Sequence, residues 1–243
     1  MKSKFLENLQ FENDKIILYS PDSLNYITDE VINKTLEKIP EIYNFFGINS
    51  FRKIQINLFD NLEKYRQFVL SMRDNKNSLP KYATGTYDNG MVNAYIQSNI
   101  IINSALYKSK ICNPAHEIVH ILYYELILKD NYEKRVVWLD EGLAQYLSGQ
   151  KDNDNENFLK DFYFKLLKNT KYWPVINDLN HGDAFMNDNY NAYDLSYLCV
   201  KYLFETQNIE KIQEIVFNPD KSIEIGNTIL TETLEYYKNK FET

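Results

Sequence analysis

The sequence predicts an α+β protein, in which a mixed β-sheet in the N-terminal part is followed by a helical C-terminal part. The length of 243 residues is enough for one large domain with its own hydrophobic core. Glycine and proline are scarce, at 7 and 6 residues, which favours helices and short strands over a turn-rich β-sandwich. Strand and helix patterns alternate up to Ser104, and after it the strand patterns fade. We therefore expect one domain over residues 1–243, with a sheet-containing lobe over 1–112 and a helical lobe over 113–243.

The predicted strands of the N-terminal lobe are short. They cover residues 15–20, 53–59, 82–87, 91–96 and 100–102. Asn89-Gly90 is a dipeptide typical of a tight hairpin turn between two strands. Helices are predicted over residues 23–46, where Pro40 favours a break or a kink, and over 61–72.

The C-terminal lobe is predicted to consist of helices. They cover residues 113–129, 133–147, 158–167, 193–206, 209–217 and 231–241. The first is expected to begin with Asn113 as its N-cap and Pro114 at its first helical position. The sequence shows no internal repeat, and no linker lies between the two lobes. We therefore expect a single domain.

Composition and charge exclude several classes of protein. Apolar residues make up 44% and charged residues 25% of the chain, as in an ordinary globular protein rather than a disordered one. The net charge of −7 argues against nucleic acid as a partner, because such binding needs a basic face. The longest apolar stretch, residues 118–128, is too short for a transmembrane segment and contains His120 and Glu125. Residues 1–15 lack an apolar signal core, so we expect a cytoplasmic protein, or one whose leader has been removed.

The residues that are most indicative of a function form the pattern His-Glu-x-x-His on a predicted helix. His116 and His120 are one helical turn apart on the same face. Two imidazoles at this spacing can bind one zinc ion. Glu117, next to the first histidine, can lie beside the open position of the metal and accept a proton from a water there. The pattern therefore predicts a zinc site with a general base.

A zinc site of this kind needs a third protein ligand. Glu141 is the better candidate, because Gly142 and Ala144 permit close approach of another helix. His181, in a polar stretch, is the alternative. On the other interpretation, Glu141 is a surface residue of an amphipathic helix.

The segments HEIVH (116–120) and WLDEGLAQY (138–146) together resemble the gluzincin metallopeptidases. The likeness is greatest to the zinc aminopeptidases, the leukotriene-A4-hydrolase-like enzymes and the bacterial peptidase-MA-like domains. Twenty residues separate His120 from Glu141, which is close to the family spacing. The resemblance implies a zincin (thermolysin-like) catalytic domain and one Zn²⁺ per chain, bound by His116, His120 and Glu141, with Glu117 as general base.

The resemblance implies further polar residues near the metal. Tyr193, at the start of a later helix, would donate a hydrogen bond to the oxyanion of the tetrahedral intermediate, and Tyr190 is the alternative. Asp140 and Gln145 flank the ligand Glu141 and could accept hydrogen bonds from the outer nitrogens of the two histidines. The alternative for both is ordinary polarity of a helix surface.

The family also has an edge strand that pairs with the substrate backbone. Residues 90–95 stand in the corresponding order before the zinc helix, so the resemblance implies that Gly90, Met91 and Asn93 contact substrate. The glutamate that holds the free amine in aminopeptidases has no match, and Val92 stands nearest, which argues against an aminopeptidase. An ordinary hairpin is the alternative.

The sequence thus predicts a zinc-dependent peptidase that hydrolyses peptide or protein substrates. The alternative is a non-catalytic zinc-binding domain, a pseudo-peptidase, that recognises a protein partner. Structural zinc sites have four protein ligands and are rich in cysteine. Only three ligands are evident, and neither Cys112 nor Cys199 belongs to a ligand pair, which favours catalysis.

Overall fold

The structure is a computed structural model of the chain. It describes residues 8–73, 79, 83–129, 131–151, 156–176, 178–180, 185 and 188–242. Contacts between residues divide the chain into two compact units. One unit comprises Met1–Ile121 and Leu147–Gln150, and the other comprises Leu122–Tyr146 and Lys151–Thr243. The first unit contains a β-sheet and the second is helical, so the predicted α+β class is confirmed.

The sheet of the first unit is mixed, as predicted. Its strands are β1 (Asn8–Glu12), β2 (Ile16–Ser20), β3 (Ile54–Phe59), β4 (Gly85–Asp88) and β5 (Met91–Tyr95), in the order β1-β2-β3-β5-β4. The pairs β2/β3 and β3/β5 are parallel, whereas β1/β2 and β4/β5 are antiparallel. Among the described residues, β4 therefore forms one edge of the sheet and β5 lies inside it. The short and polar β1 was not expected from the sequence.

The described residues of the first unit form four α-helices. They are α1 (Asn25–Phe45), α2 (Leu62–Met72), α3 (Ala105–Ile111) and α4 (Asn113–Leu122). The apolar residues of α1 recur at helical spacing and are buried. Pro40 lies inside α1 without ending it. Pro40 is exposed, and it lacks the backbone N–H that would otherwise donate a hydrogen bond to the carbonyl of Leu36.

The strand predicted over residues 100–102 does not form, and these residues instead lead into helix α3. These residues form a turn, and Asn103 has a positive φ of 64°. The Ser104 hydroxyl then accepts a hydrogen bond from the backbone N–H of Tyr107 and caps α3. The predicted strand is wrong because three apolar residues do not distinguish a strand from a turn that leads into a helix.

Helix α4 differs from the prediction at both ends. The Cys112 carbonyl accepts a hydrogen bond from the backbone N–H of His116, so the N-cap lies one residue before Asn113. The Asn113 side chain instead accepts a hydrogen bond from the Gln150 amide, at 2.8 Å. At the other end, Tyr123–Leu128 is a π-helix that stops at Lys129, which has a φ of 47°. π-Helical segments are rare and often lie at functional sites.

The second unit contains five of the described helices. They are α5 (Val137–Leu147), α6 (Glu156–Asn169), α7 (Ala192–Thr206), α8 (Ile209–Val216) and α9 (Pro219–Phe241). Helix α9 begins twelve residues before the predicted start at 231, with Asn218 as its cap. Gly226 in α9 packs so closely on Ile176 that a Cβ atom there would lie 2.5 Å from it. In the part of the chain that the structure describes, no helix is both long enough and apolar enough to cross a bilayer.

Candidate metal centre

Helix α4 places the rings of His116 and His120 against each other. Their Nε2 atoms are 3.0 Å apart, and the rings meet almost at right angles, at 84°. Two ligands of one tetrahedral zinc ion, each bound at about 2.0–2.1 Å, lie about 3.3 Å apart. The two rings therefore need to separate by only a few tenths of an ångström to share an ion.

The rest of α4 is buried, as the sequence predicts. Ala115, Ile118 and Val119 have no exposed surface. Glu117 and His120 are each only 7% exposed. Burying two such polar groups is unfavourable unless they are paired or bind a metal. Their place on this helix is thus consistent with a binding site.

The Glu117 carboxylate lies against the backbone of β4 at Gly85. A Cβ atom at position 85 would come within 2.2 Å of Glu117 Oε1. Glycine is therefore the residue that leaves room for the carboxylate in its present position. Gly85 was not among the residues expected at the site, although a glycine inside a strand can signal close approach of another group.

Lys110 on α3 is a second charged residue near Glu117. Its ammonium group donates a hydrogen bond to the Thr84 hydroxyl, one residue before β4. Burial lowers the pKa of Lys110 to about 8, although the charge of Glu117 acts in the opposite direction. Nothing in the sequence pattern distinguished Lys110 from the other lysines, because its environment comes from residues distant in the chain.

This lowered pKa predicts that Lys110 makes stability depend on pH. The unfolded chain binds the proton of Lys110 up to its ordinary pKa of 10.5, whereas the folded chain releases it from about 8. The free energy of unfolding therefore rises with pH between these values, and the cost of the buried charge is fully present below pH 8. Lys110→Met should stabilise the protein at pH 7 by up to about 3 kcal/mol.

Urea unfolding at pH 7 and pH 10 measures this effect. The difference in the free energy of unfolding between Lys110→Met and the parent protein should be smaller at pH 10 than at pH 7. Lys108→Met, at an exposed position of the same helix, is the control and should show no such change. A difference that stays constant with pH would contradict the shifted pKa of Lys110.

Glu141 lies in α5 and is held by an arginine. The Arg135 guanidinium donates a hydrogen bond to Glu141 Oε1 at 2.8 Å and another to Asp140 Oδ2 at 2.7 Å. Asp140 is fully buried, and the Glu141 side chain is 13% exposed. Both acidic residues were expected near the metal from the sequence, whereas the arginine that pairs with them was not.

Gly142 permits close approach of α5 and α7, as expected from the sequence. A Cβ atom at Gly142 would lie 2.4 Å from the Ser196 carbonyl oxygen. Gln145, one turn after Glu141, donates hydrogen bonds to the carbonyls of Glu141 and Tyr193, at 3.3 and 3.0 Å. These contacts fix the part of α5 that carries Glu141. That Asp140 and Gln145 orient the histidines stays a prediction.

His116, His120 and Glu141 together form a group that could hold a metal ion. One ligand atom from each lies within 4.8 Å of those of the other two. Two ligands of one tetrahedral zinc ion lie about 3.3 Å apart, so the ligand atoms that are farthest apart in this group have to approach each other by up to about 1.5 Å. Over the described ranges, no other histidine, cysteine, aspartate or glutamate belongs to this group. His181, the alternative third ligand, lies outside the described residues.

The expectation that residues 90–95 form an edge strand for substrate is wrong. Strand β5 lies between β3 and β4, so its backbone pairs on both sides. Asn93 is fully buried, and its side-chain oxygen accepts a hydrogen bond from Asn57. Gly90 lies in the turn, where Asn89 and Gly90 both have positive φ. The hairpin is therefore confirmed, but Gly90, Met91 and Asn93 do not line an open edge.

The two candidate tyrosines differ in exposure. Tyr193 is the second residue of α7 and is 40% exposed, with its ring 4.8 Å from that of Phe185. Tyr190 is only 4% exposed and packs on Tyr172. An exposed phenol is better placed to meet a substrate than a packed one. The role of Tyr193 as oxyanion donor stays a prediction.

The two cysteines do not add to the metal centre. Both Cys112 and Cys199 are buried free thiols. Burial raises the pKa of the Cys199 thiol to about 12. Neither thiol belongs to the group of His116, His120 and Glu141 among the described residues.

No family model and no curated protein matches this chain. The likeness to gluzincins therefore depends on the residues of the two segments HEIVH and WLDEGLAQY.

Proposed function

We propose that this chain is a zinc-dependent peptidase of gluzincin type with a zincin catalytic domain. The observation that supports it most is the group of His116, His120 and Glu141, whose ligand atoms lie within 4.8 Å. Two imidazoles and one carboxylate are a typical ligand set of catalytic zinc, which leaves the fourth position for water or substrate. Neither cysteine belongs to this group among the described residues, which also argues against a closed, cysteine-rich structural site.

The residues around this group suggest a mechanism of amide hydrolysis. Bound zinc would lower the pKa of a coordinated water and polarise the scissile carbonyl. Glu117 accepts the proton of the attacking water and passes it to the leaving amine. Gly85 leaves room for the Glu117 carboxylate in this position. The Tyr193 hydroxyl donates a hydrogen bond to the oxyanion as it forms.

The substrate would lie in an extended conformation along β4 rather than β5. Strand β4 is an edge of the sheet among the described strands, and its other side is paired with β5. An extended peptide can add to such an edge through main-chain hydrogen bonds. The contact between Gly85 of β4 and Glu117 brings this edge next to the general base.

Gly85→Ala should reduce turnover without loss of zinc. The added Cβ meets the end of a flexible side chain, so the Glu117 carboxylate moves and the free energy of unfolding changes little. A displaced general base forfeits part of its contribution of about 10²–10⁴ to the rate. Steady-state kinetics and zinc analysis of the variant measure both effects.

The same change in a Glu117→Gln protein is the control. If Gly85 acts through Glu117, the residual turnover of Glu117→Gln should not fall further when Gly85→Ala is added. Equal losses in both backgrounds would show that Gly85 contributes in another way.

Tyr193→Phe should lower kcat by about 10²–10³ if the hydroxyl is an oxyanion donor. KM should change little, because the hydrogen bond strengthens mainly in the transition state. Tyr190→Phe, three residues earlier, is the matched control and should retain activity. A large loss in Tyr190→Phe with none in Tyr193→Phe would reassign the donor to Tyr190.

Hydrolysis of a mixture of unstructured peptides, followed by mass spectrometry, tests the proposed function directly. We expect cleavage that stops when 1,10-phenanthroline removes the metal and returns when zinc is added. Cleavage that persists in the metal-free protein would contradict the proposal. Stoichiometric zinc without cleavage of any peptide would favour the non-catalytic zinc-binding domain.

A further inference from the structure

We propose that Arg135 is a positioning residue for the metal ligand Glu141. The inference rests on the proposed function, since it takes Glu141 to be a zinc ligand. It adds a residue that the two segments HEIVH and WLDEGLAQY do not include. The contact that suggests it is the hydrogen bond from the Arg135 guanidinium to Glu141 Oε1, at 2.8 Å.

Arg135 is anchored independently of Glu141. Its Nε atom donates a hydrogen bond to Asp140 Oδ2 at 2.7 Å, and Asp140 is fully buried. The guanidinium also lies 5.6 Å from the ring centre of Tyr124. Arginine presents its donors in a rigid planar fork, so a guanidinium fixed at one carboxylate also fixes the direction of the hydrogen bond to a second. Arg135 therefore holds the Glu141 carboxylate in one orientation.

The charges of this cluster are compatible with a bound cation. The negative charge of Asp140 balances the positive charge of Arg135, so the cluster keeps the single negative charge of Glu141. An arginine without Asp140 would repel a zinc ion nearby. Because Asp140 neutralises its charge, Arg135 can orient the Glu141 carboxylate without reducing the net negative charge next to the metal. Partners that orient metal ligands in this way typically contribute about 10–100-fold to metal affinity.

In the opposite role, Arg135 would compete with zinc for the Glu141 carboxylate. A guanidinium that binds Glu141 only when zinc is absent would have to release the carboxylate for the metal, and its removal would tighten zinc binding. The anchoring at Asp140 and Tyr124 favours the positioning role, because Arg135 keeps these contacts in either case. The two roles predict opposite changes in zinc affinity.

Zinc affinity measured by competition with a chromogenic chelator separates these roles. Arg135→Lys keeps the positive charge but loses the planar fork, and we expect it to weaken zinc binding about 10-fold or more. The double variant Arg135→Gln/Asp140→Asn removes both charges together, so that it leaves no unpaired buried carboxylate, and it should weaken zinc binding as well. Lys134→Ala is the matched control, because Lys134 pairs with exposed Asp220 and should leave the affinity unchanged.

Thermal unfolding of the metal-free variants shows whether each has folded. The inference is supported if zinc binding weakens in Arg135→Lys while its metal-free Tm stays near that of the parent. Unchanged or tighter zinc binding in Arg135→Lys would overturn it whatever the double variant does, because Asp140 is itself a candidate to orient the histidines. If the parent protein binds no zinc, both the proposed function and this inference are contradicted. If the parent and the variants all bind zinc tightly, only the role of Arg135 is contradicted.

Discussion

Replacing His120 with alanine is expected to abolish both zinc binding and peptide hydrolysis. His120 is 7% exposed, and its Nε2 atom lies 3.0 Å from that of His116. Loss of a residue that only orients a ligand costs about 10–100-fold in metal affinity, and loss of a ligand should cost more. His116→Ala should behave in the same way. Elemental analysis of each purified variant, together with a peptide-cleavage assay, measures the two effects.

His181→Ala is the matched control for this experiment, because it removes the remaining histidine of the chain. It should keep about one zinc per chain. Loss of zinc from His181→Ala with retention in Glu141→Gln would make His181 the third ligand. Full zinc content in both His116→Ala and His120→Ala would exclude the proposed site altogether.

Glu117→Gln should abolish turnover while zinc stays bound. The side chain at position 117 is directed to Gly85 of β4, and an amide of the same shape fits there. An amide cannot accept a proton at neutral pH, so the loss of the general base should cost about 10²–10⁴ in kcat. Zinc content and the free energy of unfolding should remain close to those of the parent protein.

Glu125→Gln is the control for this change, since Glu125 lies further along the same segment and is exposed. It should retain full activity and zinc. If Glu117→Gln is as active as the parent protein, Glu117 is not the general base. Loss of zinc from Glu117→Gln would instead mean that Glu117 contributes to the metal centre directly.

The candidate site was largely predictable because its ligands lie in local patterns. The spacing of His116 and His120 fixes their relation on any helix, and no tertiary contact is needed to bring them together. Gly142 next to Glu141 predicted the close approach of another helix, and the structure has α7 there. The hairpin at Asn89-Gly90 was predictable for the same reason, since the turn depends only on its own two residues.

The parts that sequence patterns did not predict depend on contacts between distant residues. Residues 91–96 show a strand pattern, but the pattern does not tell whether that strand lies at an edge or inside a sheet. The contact of Gly85 with Glu117 and the low pKa of Lys110 both arise where β4, α3 and α4 meet. The pairing of Arg135 with Asp140 and Glu141 is an exception, because it joins residues only five and six positions apart. In the charged run Glu133-Lys134-Arg135, no pattern distinguishes the arginine from an ordinary surface residue.

X-ray absorption spectroscopy at the zinc edge reports the ligands of the metal in solution, so it tests whether His116, His120 and Glu141 form a zinc centre. The protein is first stripped of metal and then loaded with about one zinc per chain. We expect nitrogen and oxygen ligands at about 2.0–2.1 Å, with two imidazoles resolved and no sulfur. These features should disappear in the double variant His116→Ala/His120→Ala. A sulfur ligand at about 2.3 Å, or a spectrum that the double variant leaves unchanged, would contradict a zinc centre at His116, His120 and Glu141.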